Sequence, residues 1–169
     1  MKLGGFADRA QELVAGFKMN PRQIQEAFRI MGHVLSGTEE KRGRLYWCLG
    51  ASTILLSVLK IKWPLVYESI SKDSQDHVTL GNILMEALRK DPAEWWFRLY
   101  LSGASSSNQG SKKIEKTLRE LNMLKPDKPY NERDEFGGFA GEWGHWFGSS
   151  ERSRIASVCD RIENASRFS

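Results

Sequence analysis

Apolar residues recur along this chain at helical spacing, with polar positions between them. Phe6, Ala10, Leu13, Val14 and Phe17 share one side of a short amphipathic helix, predicted over residues 6–17. A second start signal follows at once. Asn20 is a capping residue, Pro21 suits the first helical position, and Gln23 stands three residues after the cap, which together make a capping-box-like start. Ile24, Ala27, Phe28, Met31, Val34 and Leu35 then continue one apolar stripe up to Gly37, read as the stop. A third helix is predicted over Gly43 to Leu59. Trp63-Pro64 breaks that pattern and opens a short fourth helix through Tyr67 and Ile70.

Thr79 reads as the cap of a helix carrying Leu80, Ile83, Leu84, Ala87 and Leu88, and Asp91-Pro92 as the start of one carrying Trp95, Trp96, Leu99 and Tyr100. Residues 102–111 are rich in Ser, Gly and Asn and read as a connector. Ile114, Leu118, Leu121 and Leu124 return to helical spacing before Pro126 and Pro129. A last helix is predicted from about Ser150, burying Ile155, Val158, Cys159 and Ile162. No useful strand alternation and no internal repeat occurs. The predicted fold is a single all-α, bundle-like domain of about six to eight helices. It divides into helices over 6–72, a helical extension over 73–124, a Gly/aromatic loop segment over 125–149 and a C-terminal helix over 150–166.

Composition narrows the functional classes. The chain has 169 residues, is 40% hydrophobic and 27% charged, and so can build a core. The third predicted helix contains fifteen uncharged residues, Leu45–Leu59, with Ser52, Thr53 and Ser57 among them. A bilayer needs roughly 20 apolar residues, so a buried central helix is expected and no membrane span. Two cysteines, Cys48 and Cys159, make neither a disulfide framework nor a C-x-x-C zinc pair. The N-terminus does not resemble a signal peptide, and a cytoplasmic location is expected. Net charge is +4, unevenly spread: residues 1–62 hold ten basic against five acidic residues, while 63–169 hold fifteen against sixteen. This mild excess permits an acidic partner without demanding one, and any surface facing a polyanion is expected in the first third.

Catalytic motifs are scarce. There is no G-x-x-x-x-G-K-[ST] loop, H-E-x-x-H or G-x-S-x-G, and His33, His77 and His145 show no metal-ligand spacing. No catalytic residue, metal ligand or cofactor of its own is assigned to the chain. Two features stand above this background. One is the glycine-interleaved aromatic block Phe136, Phe139, Trp143, Trp146 and Phe147. Its acidic neighbours Glu132, Asp134, Glu135 and Glu142 favour packing on the core or a partner over base stacking. Trp95 and Trp96 are adjacent and cannot share a helix face, so one is expected in the core and the other at a contact. The interaction candidates are Trp95, Trp96, Phe139, Trp143 and Trp146. The other feature is Asn20-Pro21-Arg22-Gln23-Ile24, whose arginine sits in a first helical turn, where free amides and the helix dipole favour anions. Taken alone, that arginine also reads as an ordinary exposed side chain.

The run FKMNPRQIQEAFRIMGHVL, the long apolar helix after it and LKIKWPLVYESI together resemble the C-terminal helical part of KAP-family P-loop NTPases. In that family a motif of the form SPR-x-I or LR-x-I-E opens a helix after the nucleotide-binding core, and a leucine-rich helix precedes an hP-x-x-Y segment, here Trp63-Pro64-Leu65-Val66-Tyr67. The resemblance covers residues 6–72. It implies a lid-like, non-catalytic region of an ATPase, with Arg22 placed as a sensor of the nucleotide's terminal phosphates. The chain departs from the family in lacking a Walker A lysine and a Walker B aspartate. ATP and Mg²⁺ are therefore implied only in an assembly with a P-loop NTPase core, in the same parent chain or a separate subunit. The alternatives are a stand-alone helical protein-interaction module and, less favoured, a nucleic-acid-binding domain using the basic first third.

Overall fold

The computed structural model describes residues 3–36, 47–105, 110–146 and 152–167. Ten helices and no strand occur among them: α1 (Leu3–Gly16), α2 (Pro21–Ser36), α3 (Trp47–Lys62), α4 (Pro64–Ser71), α5 (His77–Ala87), α6 (Lys90–Ala104), α7 (Gly110–Glu120), α8 (Glu132–Phe136), α9 (Gly138–Trp146) and α10 (Arg154–Ser166). The all-α expectation holds.

Helix α3, uncharged as far as Leu59, is the axis of the molecule. It touches α1, α2, α4, α6, α9 and α10, so no side is left for solvent along most of its length. Leu49, Ile54, Leu55, Leu56, Val58 and Leu59 have no exposed surface. Three hydroxyls survive in this setting because each bonds back to its own helix. Ser52 donates to the Cys48 carbonyl, Thr53 to Leu49 O at 2.6 Å and Ser57 to Thr53 O at 2.7 Å. At 16 residues α3 is too short for a bilayer, and no described helix is long and apolar enough to cross a membrane.

Three helices stop in the same way without glycine. After α1, Met19 N–H donates to Val14 O and Lys18 N–H to Ala15 O, with Lys18 at φ 54°. The same reciprocal pair of bonds closes α4 at Asp73 (φ 55°) and α7 at Asn122 (φ 57°). This is the Schellman arrangement, which satisfies carbonyls that the last turn leaves open. It also explains why Leu121 and Leu124 lie beyond α7 although they keep helical spacing: the chain reverses at Asn122.

Other boundaries differ from expectation for local reasons. Asp76, not Thr79, caps α5, since its carboxylate accepts both the Val78 N–H and the Thr79 hydroxyl. Helix α6 begins at Lys90, ahead of Asp91-Pro92, because a proline in the first turn forfeits an amide that has no helical acceptor anyway. Helix α6 also runs through Ser102, Gly103 and Ala104, which were expected in a connector; residues 106–109 lie outside the described residues. Segment 125–149 is not one loop. Asn131 caps α8 through Arg133 N at 2.9 Å, and Gly137 (φ 51°) turns the chain directly into α9. Helix α10 begins at Arg154, capped by Ser153, whose own hydroxyl and amide donate to Asp73 and so tie α10 to the end of α4. The expected stop at Gly37 and start at Gly43 lie outside the described residues.

Candidate functional site

The start of α2 has the predicted capping geometry. Gln23 N donates to Asn20 Oδ1 at 2.8 Å and Asn20 N donates to Gln23 Oε1 at 3.0 Å, so each side chain satisfies the other's amide. Arg22 projects from this fixed turn and is exposed. It borders an open groove of about 490 Å³ whose wall also includes Gln25, Glu26, Arg29 and Ile61. Arg29 is committed to Glu26 through two bonds of 3.0 and 2.6 Å, and this guanidinium holds the Glu26 carboxyl below its usual range. Arg22 makes no ion pair with any described residue. Its guanidinium is the groove's uncommitted cation, chemically suited to a bidentate contact with an oxyanion.

The aromatic candidates separate by burial. Trp96 has no exposed surface and Trp143 is 1% exposed, so neither can meet a partner in the folded chain. Both belong to the core, and for these two the interaction assignment is corrected. Trp143 Nε1 donates to Ser102 Oγ at 2.8 Å across α9 and α6. Its ring lies where a side chain on Gly103 would stand, with a Cβ there only 2.9 Å from Trp143 Cζ2. Trp95 is half-buried between α1 and α9. The Arg9 guanidinium lies 4.5 Å over its ring, and Phe139 meets it edge-on at 5.6 Å. Trp146 closes α9, but its side chain, like Phe147, lies outside the described residues.

Glu142 has a structural role that its place among acidic neighbours did not reveal. From α9 it accepts the Cys48 amide at 2.9 Å and the Cys48 thiol at 3.4 Å, capping the N-terminus of α3. Burial, reinforced by this carboxylate, pushes the Cys48 thiol far above the usual range, so it is no nucleophile.

Comparison with protein-family models, with curated proteins and with solved structures finds no match.

The histidine that sequence reading passed over is the one with unusual surroundings. His77, at the start of α5, has Nδ1 2.8 Å from the hydroxyl of Tyr100, which is 1% exposed. Burial lowers the imidazole pKa to about 4; nearby Lys113 pushes the same way, against Asp76 and Asp73. His33 is exposed on α2. No group of three or more His, Cys, Asp or Glu able to hold a metal occurs among the described residues. Nothing in the spacing of His77 and Tyr100, 23 residues apart on different helices, signals their meeting.

Proposed function

We propose that this chain is a non-catalytic helical regulatory region that brings Arg22 to the terminal phosphates of a nucleotide held by a KAP-like P-loop NTPase core. The observation that carries this reading is the pairing of a rigid helix start with an exposed, uncommitted arginine at an open groove. The capping box fixes the backbone from which Arg22 springs, which reduces the ordering cost of aiming it. ATP and Mg²⁺ belong to the core in this reading. The test is ATP turnover by this chain assembled with such a core. Arg22→Ala should reduce turnover at least ~10-fold, as loss of a group facing transition-state charge does. The melting temperature of the isolated chain should stay put, because an exposed arginine contributes little to stability. Unchanged turnover and nucleotide affinity in the variant assembly would refute the sensor role.

One observation favours a second reading, a helical protein-interaction module. Trp63 is 44% exposed and Leu65, two residues later, is 78% exposed, which places large apolar side chains in water at the α3–α4 junction. This surface is not the one expected from Trp96 and Trp143. If it is the functional one, Leu65→Glu should abolish binding of the module's protein partner while Arg22→Ala leaves that binding intact.

A further inference from the structure

We propose that the cleft between the α4–α5 turn and α7 is a binding site for a small oxyanion, best a phosphate group, held by His77 and Lys113. The inference is independent of Arg22 and of the NTPase reading. The cleft has a volume of about 270 Å³, and its walls include Ser74, Gln75, Asp76, His77, Lys113 and Thr117.

The tautomer of His77 follows from its partner. Tyr100 is buried, and burial pushes its ionisation upward, so the hydroxyl keeps its proton. That proton has one described acceptor, His77 Nδ1 at 2.8 Å, and a buried hydroxyl left without an acceptor is costly. The imidazole is neutral and accepts at Nδ1, so its own proton sits on Nε2. Nε2 has no hydrogen-bond partner among the described residues, and His77 lines the cleft.

The acidic groups around the cleft each already face a donor or a cation. Asp76 spends one oxygen on Val78 N at 3.2 Å and the other on the Thr79 hydroxyl at 2.8 Å. Asp73 takes the amide and the hydroxyl of Ser153. Glu120 lies 3.8 Å from the ammonium of Lys116. The hydroxyl protons of Ser74 and Thr117 go to the carbonyls of Ser69 and Lys113. The donors left without a described acceptor include the Nε2–H of His77 and the ammonium of Lys113, which has no carboxylate partner among the described residues, and Lys116 adds a second ammonium to the same wall. Donors without acceptors in a polar cleft define a ligand that accepts hydrogen bonds and carries negative charge. The open amides of α5 are not the attraction, since Asp76 caps that helix.

The test is a titration of the full chain with sodium phosphate at constant ionic strength, following the His77 imidazole resonances by NMR. Expected are a saturable shift of those resonances, at least tenfold weaker binding in Lys113→Met, and unchanged binding in Lys112→Met. Lys113 is exposed, so the variant should fold as the wild type does, which a thermal melt verifies. Absence of a phosphate-dependent shift overturns the proposal. An equal shift with sodium chloride, meaning an adventitious ion only, overturns it as well. Acetate binding as tightly as phosphate overturns the phosphate assignment.

Discussion

Trp143 gives the sharpest test of how this molecule is built, because the sequence left it between core and partner surface and the structure places it in the core. As an interaction residue it would lie at the surface, and its truncation would leave stability within about 0.5 kcal/mol of wild type. In the structure it is 1% exposed, seated against Gly103, with its indole nitrogen bonded to buried Ser102 at 2.8 Å. Trp143→Ala removes a whole buried indole, and such changes cost about 3–5 kcal/mol. For a domain of this size that corresponds to a fall in melting temperature of about 6–20 °C. Trp143→Phe keeps most of the ring but loses the Nε1–H bond, and should cost about 1–3 kcal/mol. Ser102 stays satisfied in that variant, since its hydroxyl also donates to Leu99 O at 2.6 Å. Urea unfolding followed by circular dichroism measures both losses, with Leu65→Ala, at a side chain 78% exposed, as the surface control. If Trp143→Ala unfolds within about 0.5 kcal/mol of wild type, the packing of α9 on α6 is not as described.

Asn20→Ala should cost about 0.5–2 kcal/mol by breaking the reciprocal cap, and a thermal melt showing no loss would mean that α2 does not begin at Pro21. Gly16→Ala should destabilise by about 1–3 kcal/mol, since the new Cβ would stand 2.7 Å from the backbone carbonyl of Ala87, which no rotamer change relieves; a neutral result by urea unfolding contradicts the close approach of α1 to the end of α5. Folded His77 titrates near 4 and the unfolded residue near 6.5, so in that window the unfolded chain binds the extra proton and stability falls as pH drops. The wild type should lose up to about 3 kcal/mol more than His77→Gln between pH 6.5 and 4, read from urea midpoints at each pH; parallel curves would contradict the burial of the imidazole.

The helices were legible in the sequence because each carries a local pattern that needs no tertiary information. The Asn20–Gln23 cap and the Trp63-Pro64 break are interactions within a few residues of chain and appear where expected, while the stripe of α2 holds only in part, since Phe28 is 37% exposed and Ile30 is buried. The absence of charge between Leu45 and Leu59 likewise foretold a helix enclosed by others, since a charge there would be buried without a partner. Helix ends were read less well wherever two local options competed, as at Asp76 against Thr79 and at Asn122 against Leu124.

What only the tertiary structure decided is which side chains meet. Glycine and aromatic residues alternate over 136–148 in a way that local rules read as loop. Residues 138–146 of it form α9, where Trp143 finds a recess over Gly103, and Glu142 finds the open amide of Cys48 on α3. The same holds for His77 and Tyr100, whose hydrogen bond joins α5 to α6 at the edge of a cleft that His77 lines. Sequence determined the elements because helix formation depends on neighbours three and four residues away. The core partners and the charged clefts were left to the fold, because they depend on residues brought together from distant parts of the chain.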